Sequence, residues 1–565
     1  MIKFYTSPAL RFPFLLLLLA NLLIFNQSSS AQAFVWVKSY GGVQKDKGKD
    51  LSVDQFGNQY LTGLFQNELT MGSTVLHAVG GATDQDIFVS KTDIDGNAVW
   101  GHSFGSGINL SDDLAFGLNT NDNGFSAVTG KCFGYVKMDN GDSLSGSGLE
   151  DMWLVTYDPD GNLNWAKIGG GVSDDVGSAV YVDNDQNVYC TGNFEGDMNF
   201  YGDSMMSVPN GKSMFCAKYN WGGELLWVYT FSSSGGVQVH DILVDPSGNI
   251  YMSGNYKHTV SFGDYEFTSL GDNDGYIVKM TPAGEVLWAT TFGSDIPYSD
   301  EAGATISLDD AGNCYVAGVF AGNCIFNGGQ LTTNSLKNVL VAAYDIDGNF
   351  LWANAIKGGA GAKFSPVTLS ISVEENILVS GMFTGVDTIG SVVLEPYTNT
   401  DSADAFIASL NLMGDVNWAI HVGGDGNDGA FGIAGNGSAF AFATGNYREA
   451  AQFGPNNLLS NGVSDIWIAK FQKNTVTASS TYIPTVQTFQ TYPNPFREQL
   501  TIDIPMKTTD LIVYNQFGQV VYRRTISSGE RQINLDLSVP AAGIYTVQLK
   551  GEYGVHTGLI EKQSY

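Results

Sequence analysis

The phrase FVWVKSYGG, at Phe34–Gly42, is the first of seven similar phrases in the chain. AVWGHSFGS (Ala98–Ser106), LNWAKIGGG (Leu163–Gly171) and LLWVYTFSS (Leu225–Ser233) repeat it, as do VLWATTFGS (Val286–Ser294), FLWANAIKG (Phe350–Gly358) and VNWAIHVGG (Val416–Gly424). Their tryptophans, Trp36, Trp100, Trp165, Trp227, Trp288, Trp352 and Trp418, stand 64, 65, 62, 61, 64 and 66 residues apart. Self-similarity at a fixed period marks an array of one repeated structural unit.

Two further phrases complete each repeat. VDQFGNQYLTGLF (Val53–Phe65) recurs at Val182–Phe194, Val244–Tyr256 and Leu308–Phe320 and, degraded, at Val373–Phe383. Its Asp/Gly/Asn cluster supplies a turn between alternating apolar runs, which reads as strand, turn, strand. DIFVSKTDIDGNAVW (Asp86–Trp100) and its counterparts ending at Trp165, Trp288 and Trp352 close the unit with a strand and a tight turn. Each repeat thus offers about four strands and a variable hairpin. Such a sheet cannot bury both faces alone, and stacking sheets around an axis does so, which predicts an all-β propeller.

The ends of the array sharpen this reading. It begins with a tryptophan strand, Phe34–Tyr40, and stops after DIWIAKF, Asp465–Phe471, with no tryptophan phrase following. The last repeat lacks the strand that the start has spare, so the expectation is a seven-bladed β-propeller over 34–471 closed by its N-terminal strand. An open solenoid would leave two exposed edges and call for capping repeats. Two smaller rings would leave the complementary ends unused.

These phrases resemble the bacterial β-propeller repeats known as SBBP. That resemblance implies the fold and no single activity. The second repeat departs from the pattern, with NDNGFSAVTG at Asn121–Gly130, and the sixth and seventh lack a clean Asp-x-x-Gly-Asn.

The flanks point to export. Lys3 and Arg11 precede an apolar run, Phe12–Phe25, and Ala31-Gln32-Ala33 forms a small-x-small cleavage site, so residues 1–33 read as a signal peptide. The rival reading, a membrane anchor, needs about 20 apolar residues, more than this run supplies. No later stretch is long and apolar enough to span a bilayer. Residues 472–490, rich in Thr, Ser and Val, read as a linker. Residues 491–565 alternate as several short strands, which predicts a small β-sandwich. Their wording, YPNPF at Tyr492, Pro493, Asn494, Pro495 and Phe496, the Phe517-Gly518 turn, and GIYTVQL with Gly543 and Tyr545, resembles the type A C-terminal sorting domain of Bacteroidetes type IX secretion. The resemblance implies that the type IX machinery is a partner and that the protein ends outside the cell or on its outer membrane.

Composition limits function. The 565 residues carry 27 Lys/Arg against 57 Asp/Glu, a net charge of −30. Binding a nucleic acid needs a basic face, so that class is excluded. Five cysteines occur, Cys132, Cys190, Cys216, Cys314 and Cys324, without metal spacing. Cys190 and Cys216 fall on neighbouring strands, where a disulfide and two buried thiols are both open readings.

Catalytic motifs do not survive inspection. Gly101-His102-Ser103-Phe104-Gly105 matches G-x-S-x-G, but it lies in the tryptophan strand rather than on a strand-to-helix elbow. Gly211-Lys212-Ser213 lacks the first glycine of a phosphate loop, where Met206 stands. The histidines are scattered without ligand spacing. The Asp-x-Asp-Gly-Asn strings at Asp93, Asp158 and Asp345 lack a calcium-loop frame and read as hairpin turns. One polar feature recurs: Asp112/Asp113, Asp174/Asp175, Asp300/Glu301 and Asp428 each precede the first strand of a repeat. They are candidates to gather at one mouth of a central channel and bind Ca²⁺ or a cationic ligand; the competing reading is turn capping. No other cofactor is expected. The expected function is a surface binding or adhesion module for an extracellular protein or glycan. The alternative is a polysaccharide hydrolase or lyase using carboxylates from different repeats.

Overall fold

In the computed structural model, residues 34–473 are described except 80–84, 107–112, 201–203, 295–301, 334–337, 359–369, 374–375, 391 and 398–401. Residues 491–563 are described except 494, 498, 504–507, 516–519, 528–529, 531, 538–541 and 552–553. The leader and linker expectations, residues 1–33 and most of 472–490, lie outside this set. The chain is all-β, without a helix among the described residues. It divides into two compact units, one within Ser29–Val476 and one holding Thr477–Tyr565.

The larger unit is built from four-stranded antiparallel sheets, one per repeat. The first sheet runs Lys47–Val53, Gln59–Gln66, Gln85–Thr92 and Ala98–Gly105. The later sheets repeat this order from first strands at Leu114–Thr120, Val176–Val182, Val237–Val244, Ala302–Leu308 and Ser370–Val373. The last repeat supplies only three strands of its own: Gly429–Gly435, Phe440–Tyr447 and Asp465–Gln472. Its fourth is Phe34–Tyr40, which pairs antiparallel with Asp465–Gln472 from Phe34↔Phe471 to Tyr40↔Ile466. Each first strand packs against that of the next sheet, and Gly429–Gly435 packs back against Lys47–Val53.

The recurring residues do recurring work. In the turns, one aspartate ties three donors. Asp54 Oδ1 accepts from the Phe56 and Asn58 amides at 2.9 Å, and its Oδ2 accepts from Asn58 Nδ2 at 2.7 Å. Asp93, Asp158 and Asp345 do the same with Asn97, Asn162 and Asn349, so the Asp-x-Asp-Gly-Asn strings are hairpin turns.

The tryptophans join neighbouring sheets. Trp100, Trp165, Trp288 and Trp352 donate from Nε1 to the carbonyls of Pro159, Trp221, Ile346 and Leu412, each in the last turn of the next sheet. A neutral bond of this kind contributes about 0.5–1.5 kcal/mol net. The receiving turn needs glycine: Gly161 sits at φ +88°, and a methyl there would stand 2.7 Å from the Trp100 ring. The seventh sheet meets the first through other donors: the Tyr40 hydroxyl donates to the Gly96 carbonyl and Lys38 Nζ reaches Asn97 Oδ1 at 2.7 Å, while Trp36 Nε1 makes no such bond.

Cys190 and Cys216 do not pair. Cys190 lies opposite Ala217, and Cys216 lies opposite Thr191. A one-residue offset turns the two thiols to opposite faces of the sheet. Both are buried and free, in different core clusters.

The smaller unit holds two antiparallel sheets. Thr491–Tyr492, Gln499–Asp503 and Gln532–Asp536 form one; Val520–Thr525, Thr508–Tyr514, Gly543–Gly551 and Gly554–Lys562 form the other. Both feed one core that includes Phe496, Ile502, Val513, Ile533 and Val547.

Candidate functional site

The first strands of the sheets surround a cavity of about 470 Å³. A β-bulge interrupts these strands at a repeated place: between Gly48 and Asp50, Ala115 and Gly117, Gly177 and Ala179, Val239 and Asp241, Gly303 and Thr305, and Ala430 and Gly432. A bulge leaves its extra residue unpaired and re-aims the side chain. The extra residues Lys49, Phe116, Ser178, His240 and Phe431 all line the cavity. One structural position therefore presents a cation, two aromatic rings, a hydroxyl and an imidazole, so the channel wall is asymmetric although the scaffold repeats.

The electrostatics follow from enclosure. The Lys49 ammonium stands 5.8 Å from the Phe431 ring centroid, and burial, with Lys45 nearby, holds its pKa below the usual lysine range. His240 pairs its Nε2 with Asn255 Oδ1 at 2.7 Å. It is an exposed residue of the cavity wall, yet desolvation by its surroundings holds its pKa below the usual histidine range. Asp50 is pushed up to about 7 by burial, with a smaller contribution from the charge of Asp241. Asp241 rises to about 6 from burial.

Both channel carboxylates are tied to neighbouring strands. Asp50 accepts from the Leu51 amide and from the Leu118 amide of the next sheet, each at 2.8 Å. Asp241 accepts from the Ile242 amide and, across the next junction, from the Ile306 amide and Thr305 hydroxyl, all at 2.8 Å.

Of the acids expected at the channel mouth, the described ones lie elsewhere. Asp112, Asp300 and Glu301 are outside the described residues. Asp113, Asp175 and Asp428 are fully buried and do not line the channel. They cap turns between sheets: Asp113 accepts from the Ser106 amide at 2.5 Å, Asp175 from Gly171 at 2.5 Å and Asp428 from Arg448 at 2.9 Å. Asp174 beside them is partly exposed. The correction has a simple cause: the residue that reaches the channel is set by the bulge, several positions further along the chain.

The structure brings each capping aspartate near a second one from the third strand of the preceding sheet. Burial raises Asp46, Asp175 and Asp428 to about 7, and the charges of Asp465, Asp151 and Asp404 add to it. Asp151 and Asp404 themselves rise to about 6 through burial. These partners begin the DMW, DAF and DIW phrases at Asp151, Asp404 and Asp465. Their recurrence was visible, but not their pairing. No group of three or more His, Cys, Asp or Glu side chains placed to hold a metal occurs among the described residues.

Ser103 and His102 form no catalytic unit. Ser103 is buried and donates to the His77 carbonyl at 3.0 Å; His102 faces the other way, toward Asp139 Oδ2 and the Gly161 carbonyl, each at 2.8 Å. Gly211-Lys212-Ser213 lies inside the strand Ser204–Tyr219.

In the smaller unit, Phe496 and Tyr545 are core residues while Pro493 and Pro495 are exposed. Tyr492 is in a strand and Gly543 opens one at φ +153°. Asn494 and Gly518 lie outside the described residues.

Comparison with known proteins bears mainly on this smaller unit. Residues 490–560 match the family described as secretion system C-terminal sorting domain. The match marks the chain as cargo for type IX secretion, bound for the cell surface or the extracellular space, with the secretion machinery as its partner. The chain is also similar to an uncharacterized WD repeat-containing protein, L264, of Acanthamoeba polyphaga mimivirus, at 24% identity over 363 residues. That alignment covers 52% of this chain and only 26% of the viral protein. Among solved structures, an ulvan lyase of polysaccharide lyase family PL25 aligns at 10% identity, covering 77% of this chain and 96% of its own, with a TM-score of 0.39. PorZ, a surface component of the type IX secretion system of Porphyromonas gingivalis, aligns at 9% identity over 94% of this chain and all of its own, with a TM-score of 0.22.

Proposed function

We propose that the chain is an exported seven-bladed β-propeller that binds an extracellular glycan or protein ligand in its central channel. In this reading residues 1–33 are removed as a signal peptide, residues 34–471 form the ring, and a type A sorting domain at 491–565 directs passage through the type IX system. The observation that carries it is the bulge position. Where the scaffold repeats, the same residue types recur for the same structural task. At five of the six bulges the extra residue varies in type, as Lys49, Phe116, Ser178, His240 and Phe431, and all five line the channel. Aromatic faces beside a few polar groups suit a ligand with apolar and hydroxylated surfaces.

A second reading, a polysaccharide hydrolase or lyase, draws on Asp50 and Asp241, two enclosed carboxylates of raised pKa. Against it, both are already engaged by backbone amides. The test is a polysaccharide and surface-protein array probed with the full secreted protein and with Lys49→Ala, Phe116→Ala and His240→Ala. Binding that weakens tenfold or more in these variants, with the bound polymer left intact, supports the binding reading. Polymer cleavage that disappears in Asp50→Asn would replace it with the enzymatic one.

A further inference from the structure

A second cavity, of about 440 Å³, opens where the second and third sheets meet. Its wall includes Ser143, Ser145, Ser147, Asp151, Lys167 and Asn199. The second sheet is one of those whose repeat phrase departs from the pattern, and its long hairpin, Ser126–Met138 with Ser143–Tyr157, supplies the serines.

Asp151 is fully buried, and neither of its carboxylate oxygens completes a hydrogen bond. The Ser147 amide lies near enough to oppose the rise in its pKa but closes no bond. Asp175 is also fully buried; its Oδ2 accepts from the Gly171 amide and its Oδ1 has no partner. The two meet above Gly170. A methyl at Gly170 would collide with Asp151 Oδ1 and stand 3.1 Å from Asp175 Oδ2, so only glycine leaves the space open. Lys131 is engaged with Glu150 at 2.6 Å, while Lys167 stands in the cavity wall with its Nζ 5.8 Å from the Tyr219 ring centroid. Asp174, next in the chain, adds a further negative charge.

Asp151 lines the cavity with both carboxylate oxygens unpaired, and Asp175 approaches the same Gly170 with one oxygen unpaired; buried anions so placed are costly, and the nearby Ser147 and Glu195 amides only temper the rise of their pKa values. We propose that this cavity is a site for a hard divalent cation of the Ca²⁺ class, held by Asp151 and Asp175, with serine hydroxyls and water completing an oxygen shell. Ca²⁺ takes six to eight oxygen ligands in flexible geometry, which suits a cavity that supplies two carboxylates and leaves room for solvent. The ion would tie the long hairpin of the second sheet to the start of the third.

The experiment is isothermal titration of Ca²⁺ into the full secreted protein after chelation, with thermal unfolding followed in parallel. The expected result is saturable binding and a melting temperature that rises with Ca²⁺ concentration, as linkage requires. Asp151→Asn should remove one binding site and weaken the thermal response. Asp175→Asn, assayed by titration alone, serves if Asp151→Asn does not fold. Failure of the wild-type protein to bind at millimolar Ca²⁺ overturns the proposal, as does binding unchanged in Asp151→Asn. A third outcome also overturns it: Asp151→Asn stabilised at pH 8 with no Ca²⁺ response in either protein, which would mean the pair shares a proton rather than a metal.

Discussion

Replacing Tyr40 tests whether the strand Phe34–Tyr40 holds the larger unit together. Tyr40 is 4% exposed, packs in one cluster with Leu51, Leu61, Phe88, Ile466 and Ile468, and donates its hydroxyl to the Gly96 carbonyl. Those partners come from the first and the last repeats, so its packing spans the junction between the two ends of the array. Truncating a large buried aromatic costs about 3–5 kcal/mol through lost transfer energy and the cavity left behind. Removing the hydroxyl alone costs about 0.5–1.5 kcal/mol, because the Gly96 carbonyl sits in a turn that water can reach. Unfolding entropy scales with chain length, and for a unit of about 440 residues each kcal/mol moves the melting temperature by roughly 1 °C. Tyr40→Ala should therefore lower the melting temperature of the larger unit by roughly 3–5 °C, and Tyr40→Phe by about 0.5–1.5 °C. Differential scanning calorimetry of the full secreted protein resolves that gap. A Tyr40→Ala protein that melts within 1 °C of the parent would refute the claim that the junction of first and last repeats limits stability.

Three other outcomes follow. In chelator, stability should fall as pH rises from about 5 to 8, because Asp46, Asp175 and Asp428 have folded pKa values near 7 against about 3.9 unfolded, so the native state binds the extra protons. Their contribution is complete below about pH 4 and lost through about pH 7, at roughly 1.4 kcal/mol per pH unit for each carboxylate. Denaturation midpoints that rise or stay flat over that range would contradict it. Gly161→Ala should cost at least about 1–2 kcal/mol, since alanine is strained at φ +88° and the new methyl meets Trp100; urea unfolding measures it. Deleting residues 490–565 should leave the protein in the periplasm, read by cell fractionation, whereas surface display of the truncated chain would show that the sorting match does not act.

Much of the scaffold was legible because its task repeats. The tryptophan must reach the next sheet and the Asp-x-x-Gly-Asn turn must satisfy its own amides, and each demand leaves one residue type at one spacing. The spare strand at Phe34–Tyr40 was legible for the same reason, as a missing phrase at the other end. The candidate site was not. A β-bulge adds one residue to a strand without a marker in composition, so Lys49, Phe116 and His240 read as ordinary strand residues. Asp151 could be recognised as recurrent, but its approach to Asp175 depends on how two sheets meet above Gly170, which no spacing within one repeat encodes. Cys190 and Cys216 were adjacent in strand order, and only the register put them on opposite faces.

The same comparison separates architecture from function inside this one chain. A task needed to build every sheet recurs from sheet to sheet, as the turn acceptor does (an aspartate in most turns, with Asn121, Asn220, Thr281 and Asn411 serving in others) and as most of the inter-sheet tryptophan bonds do. A position that occupies the same place in each sheet yet changes its side chain is free of that demand, and its identity can answer to something outside the scaffold. The bulge meets this condition, while the junction aspartates meet the opposite one at Asp46, Asp175 and Asp428. The cavity at Asp151 stands between the two: its carboxylates recur, but the serine wall comes only from the long hairpin of the second sheet. Substitutions should divide accordingly. Phe116→Ala removes a side chain that is 40% exposed in the channel and should leave the melting temperature within about 1 °C while weakening ligand capture. Val128→Ala, a change in the core of the same sheet, should do the reverse. If Phe116→Ala instead destabilised the fold as much as Val128→Ala, the variability of the bulge would have to be explained by packing, and the channel would lose its claim as the binding site.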